Sequence, residues 1–216
     1  MSYRVILWDM DGTTLDTLTD LQNAVNHMMR LYSMPEISAD KTAHSLGNGA
    51  VHLIECAVPD GTPHEVTEKI IPEYKAYYDA NCLIETRPYP GILQLMEELK
   101  AAGCSQAIIS NKPETAVKEL AKHFFDGLLD AAIGEKPSVR RKPAPDTVLE
   151  AMRLLNAAPE ECVYIGDTEV DIATAANAGI DCLQVAWGFR SVEEILAAGG
   201  NRIASDTDEL KRMILN

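Results

Sequence analysis

Five short apolar runs, each too unbroken for a strand with one wet face, constrain this chain more than any other feature. They are "YRVILW" at 3–8, "SQAIIS" at 105–110, "LLDAAI" at 128–133, "CVYIGD" at 162–167 and "CLQVAW" at 182–187. A strand that is apolar on both sides has to be covered on both faces. Helical patterns lie between and after these runs, at 91–102, 114–123, 145–156, 169–178 and 191–198. The first of them places Ile92, Leu95, Met96 and Leu99 on one face and stops at Gly103. Alternation of strand and helix predicts a parallel sheet wrapped by helices, an α/β fold.

The alternation breaks between residues 17 and 80, where no strand pattern occurs. Residues 18–32 carry Leu18, Leu21, Val25, Met28, Met29 and Tyr32 at helical spacing, and 47–58 open on Gly-Asn-Gly before turning helical. A further helix is expected over 64–80, kinked at Pro72. The chain therefore reads as a core of 1–16 and 87–216 with an all-helical insertion of 17–86, the strand–helix pattern resuming at "RPYPGI", 87–92. The one basic, proline-rich loop is "EKPSVRRKPAPD", 135–146.

Composition narrows what such a fold can bind. A net charge of −14 argues against nucleic acid, and an anionic small substrate needs a site that concentrates positive charge locally. No run of 18 apolar residues and no signal-like N-terminus is seen, so no membrane association is expected. Five scattered cysteines without a CxxC pair favour reduced thiols and a cytoplasmic setting.

In open parallel sheets, ligands bind beyond the carboxyl ends of the strands. Asp9 and Asp11 lie just past the first run, Ser110 and Asn111 at and past the end of the second, and Asp167 at the end of "CVYIGD" with Asp171 four residues on. All-oxygen donors without His or Cys suit a hard cation, magnesium before zinc. Gly12 permits a tight turn after Asp11, while the hydroxyls of Thr13 and Ser110 suit phosphate oxygens. Lys142, in the proline-stiffened loop, is the candidate cation for phosphate. A carboxylate such as Asp9, ionising near ~4 when unperturbed, needs no base to act as a nucleophile. Asp11 would then move protons to the leaving alcohol and from water. Taken alone, Asp-x-Asp-Gly is also a turn or a calcium loop, and "GDTEVD" is also a helix N-cap. The calcium-loop template fails because Thr14, Asp16 and the apolar helix that follows do not continue its ligand spacing.

Together these segments resemble the haloacid dehalogenase-like hydrolases, phosphatases with a Rossmann-like core and an inserted helical cap. The first motif of that family is matched by Asp9-Met10-Asp11-Gly12-Thr13, the second by Ser110, the third by Lys142 and the fourth by Gly166-Asp167-Thr168-Glu169-Val170-Asp171. The resemblance implies that Asp9 forms an aspartyl phosphate and that Asp11 is general acid, then base. It implies Mg2+ held by Asp9, the carbonyl of Asp11 and Asp167, with Asp171 binding through water or orienting the site. Ser110, the Asn111 amide and Lys142 would hold the phosphoryl oxygens. Thr14 departs from the family, which usually has an apolar residue there. The stretches 45–58 and 187–210 resemble phosphoglycolate phosphatases, which makes Gly47, Asn48 and Gly49 candidate cap contacts to a small phosphorylated metabolite, 2-phosphoglycolate first. A β-phosphoglucomutase-like isomerase, a pyrophosphatase or nucleotidase, and a phosphate-binding regulatory module are the alternatives.

Overall fold

The computed structural model describes residues 3–137 and 139–216. Met1 and Ser2, assigned above to the core, and Ser138 of the basic loop lie outside the described residues. A six-stranded sheet forms the centre. In chain order its strands are β1 (Val5–Trp8), β4 (Ser105–Pro113), β5 (Ala131–Glu135), β6 (Cys162–Gly166), β7 (Asp181–Val185) and β8 (Ile203–Ala204). They are arranged β5-β4-β1-β6-β7-β8, all parallel. The order reverses at β1, which pairs with β4 on one side and β6 on the other, so the carboxyl ends of these three strands share one rim.

The unbroken apolar runs are explained by two cores. Ile6, Trp8, Ile108, Val163 and Ile165 face one layer of helices, while Val5, Leu7, Ala107, Ile109 and Tyr164 face the other. Because side chains alternate along a strand, both positions of each run must be apolar to fill both layers. The helices are α5 (Ile92–Ala101), α6 (Glu114–Phe125), α7 (Asp146–Leu154), α8 (Glu169–Ala178), α9 (Val192–Ala197) and α10 (Thr207–Leu215). The buried side chains of α5 are Ile92, Leu95, Met96 and Leu99, the face read from the sequence.

Between β1 and α5 lies the helical insertion, made of α1 (Leu18–Leu31), α2 (Ala39–His44), α3 (Gly49–Ala57) and α4 (His64–Asn81). Pro72 lies inside α4, which runs on to Asn81. Its two connections to the sheet are paired: β2 (Leu15–Asp16) runs antiparallel to β3 (Arg87–Pro88). Asp20, buried in the first turn of α1, accepts hydrogen bonds from the Glu85 amide (3.0 Å) and from the amide and hydroxyl of Thr86 (both 2.9 Å). The start and the end of the insertion are thereby pinned together.

Three expectations need correction. The strand expected at 128–133 is Ala131–Glu135, because Gly127 turns at φ 74° and Leu128–Leu129 pack beneath the core before the ladder begins. The second strand runs past residue 110 to Pro113, pairing there with Glu135 beyond a register shift. The C-terminal β8 and α10 were not anticipated. Among the described residues, no helix is long and apolar enough to cross a membrane.

Candidate active site

The rim divides into two charge neighbourhoods, one around Asp9 and one around Asp11. Asp9 follows β1 directly and is 5% exposed. Its Oδ1 accepts a hydrogen bond from Lys142 Nζ at 2.7 Å, and the same ammonium donates to Asp171 Oδ1 (2.8 Å) and the Tyr164 hydroxyl (2.9 Å). Asp9, Asp167 and Asp171 each offer a carboxylate oxygen within 4.8 Å of the others. Three buried carboxylates therefore face one ammonium. Uncompensated buried charge is expensive, and these oxygen donors fit a hard cation.

The protonation equilibria report the same deficit. Burial drives the Asp9 carboxyl well above its usual range; Lys142 opposes the rise, and Asp171 and Asp167 add to it. Burial and then Asp171 push Asp167 up to about 7, against hydrogen bonds from the Phe189 amide and Thr13. Lys142 is disfavoured by burial, but Asp171 and Asp9 hold its pKa well above the ordinary lysine value. This amends the reading of Asp9 as an unperturbed carboxylate: its ionised form depends on positive charge supplied to the cluster.

Asp171 serves two structures at once. Its Oδ2 accepts from the amides of Asp167 (3.2 Å) and Thr168 (3.0 Å), closing the N-terminus of α8, while Oδ1 fixes Lys142. The N-cap reading of "GDTEVD" is satisfied by a residue that also fixes Lys142, and the hydrogen bonds on both oxygens favour an orienting part for Asp171 over direct ligation. Asp167 is clamped by the Thr13 hydroxyl (2.9 Å) and the Phe189 amide (2.7 Å). The hydroxyl of Thr13, expected on phosphate, is thus committed to a carboxylate; with Thr13 fully buried, it positions Asp167. Gly12 has φ +85°, and a Cβ there would stand 2.8 Å from both Asp167 Cγ and Phe189 Cδ2. Only glycine brings the loop this close.

Asp11 looks the other way. Its Oδ1 accepts from the Thr17 hydroxyl (2.6 Å) and is 3.0 Å from Lys112 Nζ. Lys112, whose side chain is 3% exposed, also donates to the Tyr78 hydroxyl of α4 at 2.8 Å and stands 4.3 Å from that ring's centroid. Ser110 Oγ accepts from the Lys112 amide (3.2 Å), and a hydroxyl accepting there keeps its proton for donation. Asn111 joins three segments: its Nδ2 donates to the carbonyls of Gly47 (2.9 Å) and Lys142 (3.0 Å), and its Oδ1 accepts from the Lys142 amide (2.7 Å).

Asp9, Asp11, Ser110, Asn111 and Lys142 line one cavity, together with Gly47 and Gly49 of the insertion. It encloses about 540 Å³, partly open to solvent. Asn48 stands at the N-cap of α3 and is not part of the lining. His44 and His52 are outside it as well, and His27 stacks on Tyr77 at 4.0 Å between centroids, inside the helical insertion. Sequence reasoning missed Lys112, Tyr74, Tyr78 and Tyr164, and it missed the contact of the 187–189 loop with Asp167. Lys112 had a signal, since it directly follows Ser110-Asn111 at a strand end.

Residues 6–185 match the family model described as haloacid dehalogenase-like hydrolase. The phosphoglycolate phosphatase of Aquifex aeolicus is 31% identical over 191 residues, covering 86% of each chain. That of Colwellia psychrerythraea is 33% identical over 198 residues, covering 88% of each. A crystal structure of a candidate phosphoglycolate phosphatase from Lactobacillus delbrueckii subsp. bulgaricus superposes with a TM-score of 0.95 at 34% identity, covering 100% of both chains. A family match that runs from β1 through β7 takes in every strand end on which the clustered side chains sit, and the chain belongs to the haloacid dehalogenase-like hydrolases.

Proposed function

We propose that the protein is a magnesium-dependent phosphomonoesterase that hydrolyses a small phosphorylated metabolite, 2-phosphoglycolate first, through an aspartyl phosphate on Asp9. The observation that carries this reading is the separation of the two carboxylates: Asp9 on Lys142 beside Asp167 and Asp171, and Asp11 on Lys112 within the same cavity. With Oδ1 held by Lys142, Asp9 has Oδ2 for attack on phosphorus. The ester P–O bond breaks as the Asp11 carboxyl gives its proton to the departing oxygen. Water then attacks the aspartyl phosphate, Asp11 takes its proton, and inorganic phosphate leaves with Asp9 restored.

Charge in such transfers spreads over the phosphoryl oxygens, so positioning and positive charge supply most of the rate. Ser110, the Asn111 amide and Lys142 would hold those oxygens, a role supported by their position in the cavity lining with Asp9. Asp9, the Asp11 carbonyl and Asp167 would hold the magnesium, with Asp171 orienting the site; the ion would neutralise charge and orient the phosphoryl group. We assign 1–16 and 87–216 to the core and 17–86 to a cap whose Gly47 and Gly49 close on the substrate. Relatives bearing the name phosphoglycolate phosphatase support the choice of substrate, and five free cysteines support a cytoplasmic setting.

The test is phosphate release from phosphoglycolate and from an aryl phosphate. Asp9→Asn is expected to lower kcat at least ~10³-fold, by loss of the nucleophile, and chelation of magnesium to abolish turnover of the unmodified protein. Undiminished turnover in either arm overturns the mechanism. Conversion of a sugar 1-phosphate to its 6-phosphate without release would identify a mutase instead.

A further inference from the structure

Three cationic side chains are buried among the described residues: Lys112, Lys142 and Arg190. Two are already engaged elsewhere, Lys142 at the nucleophile and Arg190 in holding structure. Lys142 bonds Asp9, Asp171 and Tyr164. Arg190 is paired with Glu169 and donates to the carbonyls of Ala43, His44 and Leu46. Lys112 shares the cavity wall with Lys142 but stands on the Asp11 side of it, with one carboxylate and one hydroxyl as partners.

From this we infer that Lys112, with the Tyr78 hydroxyl, is the subsite for a carboxylate on the leaving group, and that it sets the enzyme's preference for a short phosphorylated acid. The inference rests on the phosphomonoesterase reading and names the group that would select its substrate. Distance supports it. A general acid stands about 3 Å from the oxygen it protonates. Lys112 Nζ is 3.0 Å from Asp11 Oδ1, which places the ammonium no more than about 8 Å from the ester oxygen whichever Asp11 oxygen carries the proton. A carboxylate one methylene from that oxygen reaches about 3 Å, and a charge-assisted hydrogen bond adds about 2.8 Å. The reach of a two-carbon acid, about 6 Å, lies inside that limit.

Charge and shape agree as well. A single ammonium with a neutral hydroxyl matches one negative charge better than the multiple charge of a second phosphate. The rest of the cap-side wall is mostly apolar, with Leu21, Leu46, Ala50, Leu53 and Tyr74; its one further charge, Lys75, lies 3.7 Å from Glu135, so a long polar leaving group meets few free partners. Tyr78 belongs to α4, so the subsite is half core and half insertion and is complete only when the two are apposed.

The experiment compares kcat/KM for phosphoglycolate, ethyl phosphate, pyrophosphate and an aryl phosphate, in the unmodified protein and in Lys112→Met and Lys112→Arg, with magnesium present. The unmodified protein is expected to prefer phosphoglycolate over ethyl phosphate. Lys112→Met is expected to reduce that preference ~10- to 100-fold, the worth of one charge-assisted hydrogen bond, and Lys112→Arg to keep most of it. An equal fall on both substrates means that Lys112 acts through Asp11, and it overturns the subsite. So does a lack of preference in the unmodified protein, a comparison that needs no variant to fold, and so does a preference for pyrophosphate. If even the aryl phosphate is untouched, the phosphatase reading fails and the subsite falls with it; hydrolysis without preference defeats the subsite alone.

Discussion

Removing the metal should make stability depend on pH in a direction fixed by Asp167. In the unfolded chain this carboxyl titrates near 3.8, and in the metal-free folded protein burial and Asp171 raise it to about 7. Between those values the folded state holds a proton that the unfolded state has released, so stability falls as pH rises. At about 1.4 kcal/mol per pH unit, the interval is worth roughly 4 kcal/mol. For a chain of this size that is a fall in Tm of roughly 8–16 °C over the whole interval, of which the two units from pH 5 to 7 carry roughly 6–12 °C. Asp9 is shifted in the same direction by its own burial and adds to the slope. A divalent cation held by these oxygens competes with protons for them, so the stabilising effect of magnesium, the ion proposed, is expected to grow over the same range. The assay is thermal unfolding from pH 5 to 8, in excess EDTA and in excess magnesium. The expected result is a falling Tm in EDTA, a flatter profile in magnesium, and a magnesium gain larger at pH 8 than at pH 5. Asp167→Asn removes the titrating group and should flatten the EDTA profile, which separates this effect from general repulsion at a net charge of −14. A magnesium gain equal at pH 5 and pH 8, or an EDTA slope that survives Asp167→Asn, would refute the reasoning.

Two further substitutions test how the site is held. Gly12→Ala puts a Cβ at φ +85° and 2.8 Å from Asp167 Cγ. Backbone strain of about 1–2 kcal/mol, together with displacement of Asp167, is expected to weaken magnesium affinity at least ~10-fold by calorimetric titration, and unchanged affinity would show that the loop tolerates the displacement. Asp20→Ala strips the partners from the amides of Glu85 and Thr86 and from the Thr86 hydroxyl. A loss of about 3 kcal/mol, or roughly 6–12 °C in Tm, is expected, with faster amide exchange over 85–88; a Tm within 2 °C of the parent, roughly 1 kcal/mol or less, would mean that other contacts hold the hinge.

What the sequence disclosed and what it withheld follow from how each residue is placed. Asp9, Ser110 and Asp167 were legible because an apolar run ending in a polar side chain marks a strand end, and strand ends of a parallel sheet share a rim. Lys142 was legible because prolines stiffen its loop. Lys112 was not, because the strand was expected to stop at Ser110, whereas β4 runs to Pro113 and carries Lys112 into the cavity wall. Tyr78 and Tyr74 sit on a helix whose pattern reads as ordinary packing, and only the fold of α4 over the rim turns them toward Lys112. The Phe189 amide that holds Asp167 is main chain, which no residue type announces. The strand at 128–133 was misplaced because an apolar run marks burial and not the start of a ladder.

Two carboxylates one residue apart at a strand end repel unless each has its own counter-charge, and the fold provides that separately. Asp9 meets Lys142 from the loop before α7, and Asp11 meets Lys112 from the end of β4. Because the two ammoniums come from different segments, the carboxylates have different surroundings and different partners, as the proposed nucleophile and proton carrier require. The main chain between them is fixed by Thr14, whose hydroxyl lies 3.2 Å from the carbonyls of both Asp9 and Met10, while the Thr14 carbonyl accepts from the Tyr89 amide beyond β3. The position that departs from the family's apolar preference is thus a buried, satisfied hydroxyl that holds the turn at the first strand end, while its main chain meets the returning segment. An apolar side chain at 14 would fill the space but leave the turn carrying Asp9 without that tether.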